Sequence, residues 1–423
     1  MIRKCMWLVL LLTIFSACSN RGDQVLSIQE EKPQDEKVTI RIFDRKIEVA
    51  DRLQELAALY ESLHPDVKIE FESLGAISSS YDVELNSKFG LGTFPDIFTT
   101  EAYLSFEPWE DIALPLNDFT WIKDTVEGST DGVTVNGTIY GIPITLEAYG
   151  YIYNKDLFAK AGITTIPTTI SELREAARKL QAIGVTPFSN GYAEWWILGN
   201  HSFNIALASH ETPNEYIEGI LDGTIDLSND ETMNAWVEWL DLTIQYGNRN
   251  PLSTDYQTQV EKLANGEAAM MQQGNWTQFM INERNPEINL GIMPIPISDK
   301  GHDYVMVGVP NYWIVNNQSP VKEEAIEFIE WLITSEEGKS FIVNDLEYIP
   351  SFTTIDYDAK KLGDITASLQ TYIDQGKTAG WYWSSFPSEN ANLVFENIQR
   401  YLRGQTTREQ FLTNLQQDIQ SIQ

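Results

Sequence analysis

Five tryptophans stand among polar and small residues rather than in an apolar periodicity. They are Trp195 and Trp196 in "NGYAEWWILGNH", Trp276 in "QGNWTQ", and Trp381 and Trp383 in "TAGWYWSSFPS". Indole is costly to leave in water, so a tryptophan in such a setting either folds back into the core or is held out as a flat platform. A platform beside Asp, Glu and Asn suits a sugar. The ring covers the C–H face, and the polar groups take the hydroxyls. Trp236, Trp239 and Trp331 differ: they recur at helical spacing among apolar neighbours and read as core.

Other chemistry leaves no pattern. The chain has no GxSxG, no HExxH, no Walker A motif and no GxGxxG after a strand. His64, His201, His210 and His302 do not pair at metal-ligand spacing, so neither a metal nor a cofactor is expected. Among 61 acids some carboxylate pair always looks suggestive, so a surface-anchored glycoside-acting enzyme stays open as an alternative. The same acids, against 29 bases, give a net charge of −32, which argues against nucleic acid as a partner.

Alternating strands and helices must position these residues. "VTIRIF" alternates as a strand. Leu53, Leu56, Ala57 and Tyr60 share one helical face that Pro65 closes, and "VKIEFESL" is again a strand. Strand, helix, strand is the opening of a parallel sheet. "FPDIFTT", "TIYGIPITLEAYGYIYN" and "VTPFSN" read as further strands. "KDLFAKAGI", "TTISELREAARKLQAIG", residues 231–246 and 319–334, and two tail helices broken at Gly404 read as helices. The fold class is therefore α/β. In "GEAAMMQQGNWTQ" a short buried strand ends at Gly274, just before Asn275 and Trp276. The length of 423 residues exceeds what one core usually serves, so two domains are expected.

The N-terminus reads as a targeting segment. Arg3 and Lys4 precede an apolar run, Met6 to Phe15, that is short for a bilayer span. Ser16 and Ala17 directly before Cys18 resemble a bacterial lipobox, with Phe15 where a Leu is usual. The expectation is a signal peptide over 1–17, a lipid on Cys18 and a polar tether over 18–37. Cys5, the only other cysteine, falls in the signal, so no disulfide is available. The membrane would be met through the lipid alone, at the outer face of the bacterial cell membrane.

"YIYNKDLF" within "IPITLEAYGYIYNKDLFAKAGI" resembles the segment where bacterial extracellular sugar-binding proteins of the maltose-binding type cross between lobes. "LQELAALYESLHPDVKIEFE", "FPDIF", "NGEAAMMQQGNW" and "SPVKEEAIEFIEWLITSEEGKSFI" resemble further elements of that family, in its order. The resemblance implies a two-lobed periplasmic-binding fold of type II, each lobe a mostly parallel sheet flanked by helices, with three crossings. They fall near Thr145–Glu147, Pro294–Ile297 and Thr334–Glu337. The N-terminal lobe is then 38–145 with 297–333, and the C-terminal lobe 146–296 with 334–423. It also implies a monomeric, non-enzymatic receptor that closes on an oligosaccharide and delivers it to ABC-transporter permease subunits.

By position in the resemblance, Asp44 and Glu147 are the carboxylates of the site and Trp276 its stacking ring, while Asn275 holds the loop or contacts a hydroxyl. Glu101 and Tyr103, in the loop after "PDIF", are further candidates, as is Tyr149. Trp195 and Trp196, if extended, point to opposite sides, so one stacks and the other packs inward. Trp381 and Trp383 would share one face with Tyr382 turned away. Tyr312 and Trp313 alternate likewise, and one lines the cleft. Anionic ligands want Arg or Lys, and these loops are poor in both. Arg45 and Lys46 are the exceptions, and they leave a uronic-acid sugar open. A non-sugar solute, or a sensor or adhesin working without a permease, are the other readings.

Overall fold

The first strand, Val38–Asp44, pairs in parallel with Val67–Ser73, whose residues alternate between buried and exposed, in register from Val38 with Val67 to Asp44 with Ser73. The helix Ala50–Leu63 joins them and buries the expected Leu53, Leu56, Ala57 and Tyr60. This computed structural model describes residues 37–74, 80–387 and 390–422. The expected signal peptide 1–17, Cys18 and the tether up to residue 36 lie outside the described residues.

The first sheet continues with Ile97–Thr100, parallel to the opening strand. The late strand Tyr312–Val315 lies antiparallel to Ile97–Thr100, and the short Ile142–Pro143 pairs with its other side. The second sheet is built on one long strand, Thr145–Asn154, nine of whose ten residues are buried. Ala268–Gly274 and Val305–Gly308 flank it antiparallel, and Thr186–Ser189 extends the sheet in parallel beyond Ala268–Gly274. Leu290–Met293 and Ile349–Pro350 pair with the two ends of the long strand. The two sheets have separate cores. Ile40, Ile97, Trp313, Phe328 and Ile329 are buried in the first; Tyr151, Phe188, Trp236, Trp239 and Met270 are buried in the second. Among the described residues no helix is long and apolar enough to cross a membrane.

Local signals act as their chemistry dictates. Thr169 caps Ile170–Ala182 through a full capping box with Glu172, and Gly184 follows at φ 82°. Thr407 does the same for the last helix, Arg408–Ser421, after the break at Gly404.

The chain first changes sheet at Thr145, as expected. The other two passages differ from expectation. Leu290–Met293 and Val305–Gly308 both pair with Thr145–Asn154, so residues 294–297 stay in the second lobe, and the return comes between Gly308 and Tyr312. Near 334 the chain stays in the first lobe. Ser335 caps a new short helix, and Phe341, Ile342 and Leu346 pack into the first core. The last passage spreads over Ile349–Leu362. There Phe352 and Ile355 still belong to the first core, while Leu362 joins the core under the second sheet. Stiff proline sequence suggested a connector, but strand pairing, which sequence does not show, decides where the lobe changes.

Candidate functional site

Between the two sheets lies a cavity of about 540 Å³, within the size range of small-molecule sites. Trp195, Trp196, Trp276, Trp381 and Trp383 all line it, with Tyr256 and His201. Arg45, Lys46, Glu48, Glu101 and Glu147 line it from the first lobe and the first crossing, and Glu194 and Asp255 from the second lobe. A hollow of about 210 Å³ shares Arg45, Glu101, Trp195, Asn200 and Trp383 with it.

Trp276 owes its position to the strand before it. Ala268–Gly274 is wholly buried and ends in a tight turn, Asn275–Thr277. Thr277 Oγ1 donates to the Gly274 carbonyl at 2.8 Å, and Asn275 Oδ1 accepts from the Ala148 amide at 2.8 Å. The indole therefore folds back over Gly274, where a Cβ would collide with the ring and with the Ala148 carbonyl. Its Nε1 donates to Gln273 Oε1 at 3.0 Å. Gln273 donates in turn to Gln259, and Gln259 to the Ser189 carbonyl. A fully bonded polar chain thus fixes the ring from behind while the ring lines the cavity. Asn275 takes the loop-holding alternative and does not line the large cavity.

Trp195 and Trp196 are not extended. They begin a helical stretch that runs into a π-helical turn, Ile197–Ser202. Successive side chains on a helix diverge by about 100° rather than 180°, so both rings reach the cavity and neither packs inward alone. Trp196 meets Tyr256 edge-on at 5.4 Å and Trp276 at 6.4 Å. Trp381 and Trp383 do share one face, stacked at 4.6 Å, and Gly308 leaves room for Trp381: a Cβ there would stand 2.6 Å from Cδ2.

His201 was not singled out by sequence reasoning, which weighed it only as a metal ligand. Its ring stacks on Tyr149 at 4.4 Å and lies within 5.1–5.4 Å of Trp196, Trp276 and Trp383. Burial pushes its pKa down to about 3, so it is neutral, and its buried Nδ1 has no hydrogen-bond partner. Trp381 Nε1 is likewise buried without a partner. No local sequence signal marks such a residue, because its neighbours come from four separate segments.

Five other candidates do not line the cavity. Asp44 is 2% exposed, and both oxygens are taken: Oδ1 by the Lys46 amide at 2.6 Å, Oδ2 by Trp313 Nε1 at 2.9 Å. Burial pushes its carboxyl up, opposed by those hydrogen bonds. Asp44 thus braces the loop that carries Arg45 and Lys46. Tyr149 is fully buried; its hydroxyl donates to the His201 carbonyl and accepts from Asn204. Tyr312 and Trp313 are both 4% exposed in first-lobe cores, and it is Pro310 and Asn311 before them that line the cavity. Tyr103 is 44% exposed, with φ 51°, outside the cavity.

The two cations of the lining are paired. Arg45 donates to Glu101 and to Asp82, each at 2.9 Å, with its guanidinium 4.4 Å over the Tyr81 ring. Lys46 is bonded to Glu147 across the first crossing, and to Glu48 at 3.0 Å. Burial acts to lower the Lys46 pKa, but the two carboxylates overcome it and hold the ammonium charged. Burial pushes the Glu101 carboxyl up, against the pull of Arg45. Among the described residues, no group of acids, histidines and cysteines could hold a metal ion.

The family described as "Bacterial extracellular solute-binding protein" matches residues 46–339. The chain is similar to the multiple sugar-binding protein of Streptococcus mutans, 22% identical over 311 residues, 71% of this chain and 72% of that protein. It is also similar to the melibiose/raffinose/stachyose-binding protein MelE of Bacillus subtilis, 20% identical over 81% of this chain and 84% of that one. Among solved structures, the binding protein RafE in complex with raffinose superposes with a TM-score of 0.78 at 21% identity, over 91% of this chain and 100% of that one.

Proposed function

The chain belongs to the bacterial extracellular solute-binding protein family, and from that premise we propose that it is the carbohydrate receptor of an ABC importer, closing on an oligosaccharide between its lobes. One observation carries this reading: five indoles, Tyr256 and a neutral His201 line a single cavity between the sheets. Aromatic faces cover the C–H faces of sugar rings, while carboxylates and amides serve the hydroxyls. Several platforms, and a second hollow opening off the first, suit more than one sugar ring. The similarity to MelE and to the multiple sugar-binding protein supports the same reading.

The contact set we propose is Glu101, Glu147, Trp195, Trp196, Trp276, Trp381 and Trp383, with His201 and Tyr256 added. Asp44, Tyr149, Asn275 and Tyr312 support it from behind. Family membership argues for a binding protein that works with a permease rather than for an enzyme, and no step of chemistry is needed. A lipid on Cys18, a monomeric state and an outer-face location complete the proposal. Cys18→Ser should then release the protein from the membrane fraction into the medium, as read by immunoblotting of both.

Calorimetric titration of the soluble domain with neutral oligosaccharides tests the core reading. Saturable binding with the sugar recovered intact is the expected result. Cleaved sugar would favour an enzyme instead, and binding only of amino acids or peptides would overturn the carbohydrate assignment.

A further inference from the structure

The two cations that reach the cavity are already committed to carboxylates. Arg45, 12% exposed in its side chain, spends Nη1 on Glu101 and Nη2 on Asp82 and rests its flat face on Tyr81, which leaves a single buried Nε–H without a partner and no two-pronged donor. Lys46, 11% exposed, is clamped between Glu147 and Glu48. Each cation thus already carries two carboxylates. Glu194 and Asp255 add two more acids to the lining, and among the described residues no further Lys or Arg lines it. Glu194 accepts from the Tyr256 amide and Asp255 from the Thr258 amide, so neither is balanced by a cationic side chain. The remaining polar atoms without partners, His201 Nδ1 and Trp381 Nε1, belong to neutral rings.

Resting on the carbohydrate reading, we infer that the site selects uncharged oligosaccharides and rejects acidic ones, because Arg45 and Lys46 are neutralised in place and the lining holds a surplus of carboxylates. A uronate entering the cavity would meet like charge, with no free donor fork to receive it. The discrimination is built as repulsion and not as an added contact to the neutral sugar. It answers the question that Arg45 and Lys46 raise in the sequence: they organise the acids of the site instead of reading a ligand's charge.

The test uses matched probes: neutral tetrasaccharides of glucose, galactose and xylose, and the corresponding C6-oxidised uronates of the two hexoses, titrated calorimetrically into the wild-type protein. Like-charge juxtaposition costs several kcal/mol, so a uronate should bind roughly 100-fold or more weakly than its neutral parent. Salt should narrow that gap. Glu48→Gln removes one partly buried carboxylate from Lys46; it should shrink the gap between each uronate and its neutral parent by about tenfold. A uronate binding as tightly as its parent would overturn the inference and leave the carbohydrate reading standing. Failure of every neutral probe would overturn that reading and the inference with it.

Discussion

Glu101 divides its carboxylate between the lobes: Oε1 accepts from Arg45 Nη1 at 2.9 Å in the first, and Oε2 accepts from Trp383 Nε1 at 3.2 Å in the second. The bond spans the cavity itself, so the same pair both lines the site and holds it shut. Arg52, packed 4.7 Å over the Phe279 ring, adds a second contact between the lobes. Groups of the protein itself therefore favour the closed arrangement.

Trp383→Phe keeps a ring but removes the donor to Glu101. A hydrogen bond to a charged group contributes about 1.5–3 kcal/mol, and its loss falls on the closed form alone. The unliganded variant should show a larger radius of gyration by small-angle scattering than wild type, and weaker oligosaccharide binding. Identical scattering curves would mean that the bond does not govern closure.

Trp276→Ala should weaken oligosaccharide binding by about 1–3 kcal/mol, the range of a central aromatic contact. Gly274→Ala should do the same without touching a contact residue, because its Cβ needs the space of the Trp276 ring. Calorimetry on both variants, with thermal melting as the control for folding, separates platform from core. Unfolding without a specific affinity loss would place the ring in the core.

His201 makes stability depend on pH. Its folded pKa of about 3 lies below the ordinary 6.5. Below the ordinary value the unfolded chain takes a proton that the folded one refuses. Its contribution is thus complete above about pH 6.5 and lost progressively as pH falls toward 3. Between pH 7 and pH 5 this costs about 2 kcal/mol. His201→Phe should flatten that part of the urea-unfolding profile, and an unchanged slope would refute the assignment.

Lys46→Met should be among the costliest substitutions in the molecule. It leaves Glu147 buried and Glu48 beside it with no cation, a loss of about 3–5 kcal/mol. Pairing it with Glu147→Gln should restore part of the stability, as measured by chemical unfolding. A fully additive double variant would mean the two groups do not interact.

Much of this was legible in the chain. The alternation in "TIYGIPITLEAYGYIYN" marks the long strand, and the loop setting of five tryptophans marks the cavity, because local polarity contradicts the cost of exposing indole. What stayed hidden depends on distant partners. Asp44 looks like a ligand carboxylate until Trp313, 269 residues on, takes its oxygen. Tyr149 lies behind the lining because the ring of His201 stacks over it and covers it from the cavity. Trp195 and Trp196 lie in a helical stretch and not in a strand, so both reach the cavity. His201 joins the site through rings from positions 149, 196, 276 and 383.

The bare backbone at Gly274 has a consequence for inheritance. Every missense change at that codon introduces a Cβ, and every Cβ meets the indole. A bacterium carrying such an allele should fail to grow on the sugar the protein serves, although no residue that faces the ligand has been replaced. Natural variants that lose the trait should therefore include position 274 alongside the residues that face the ligand.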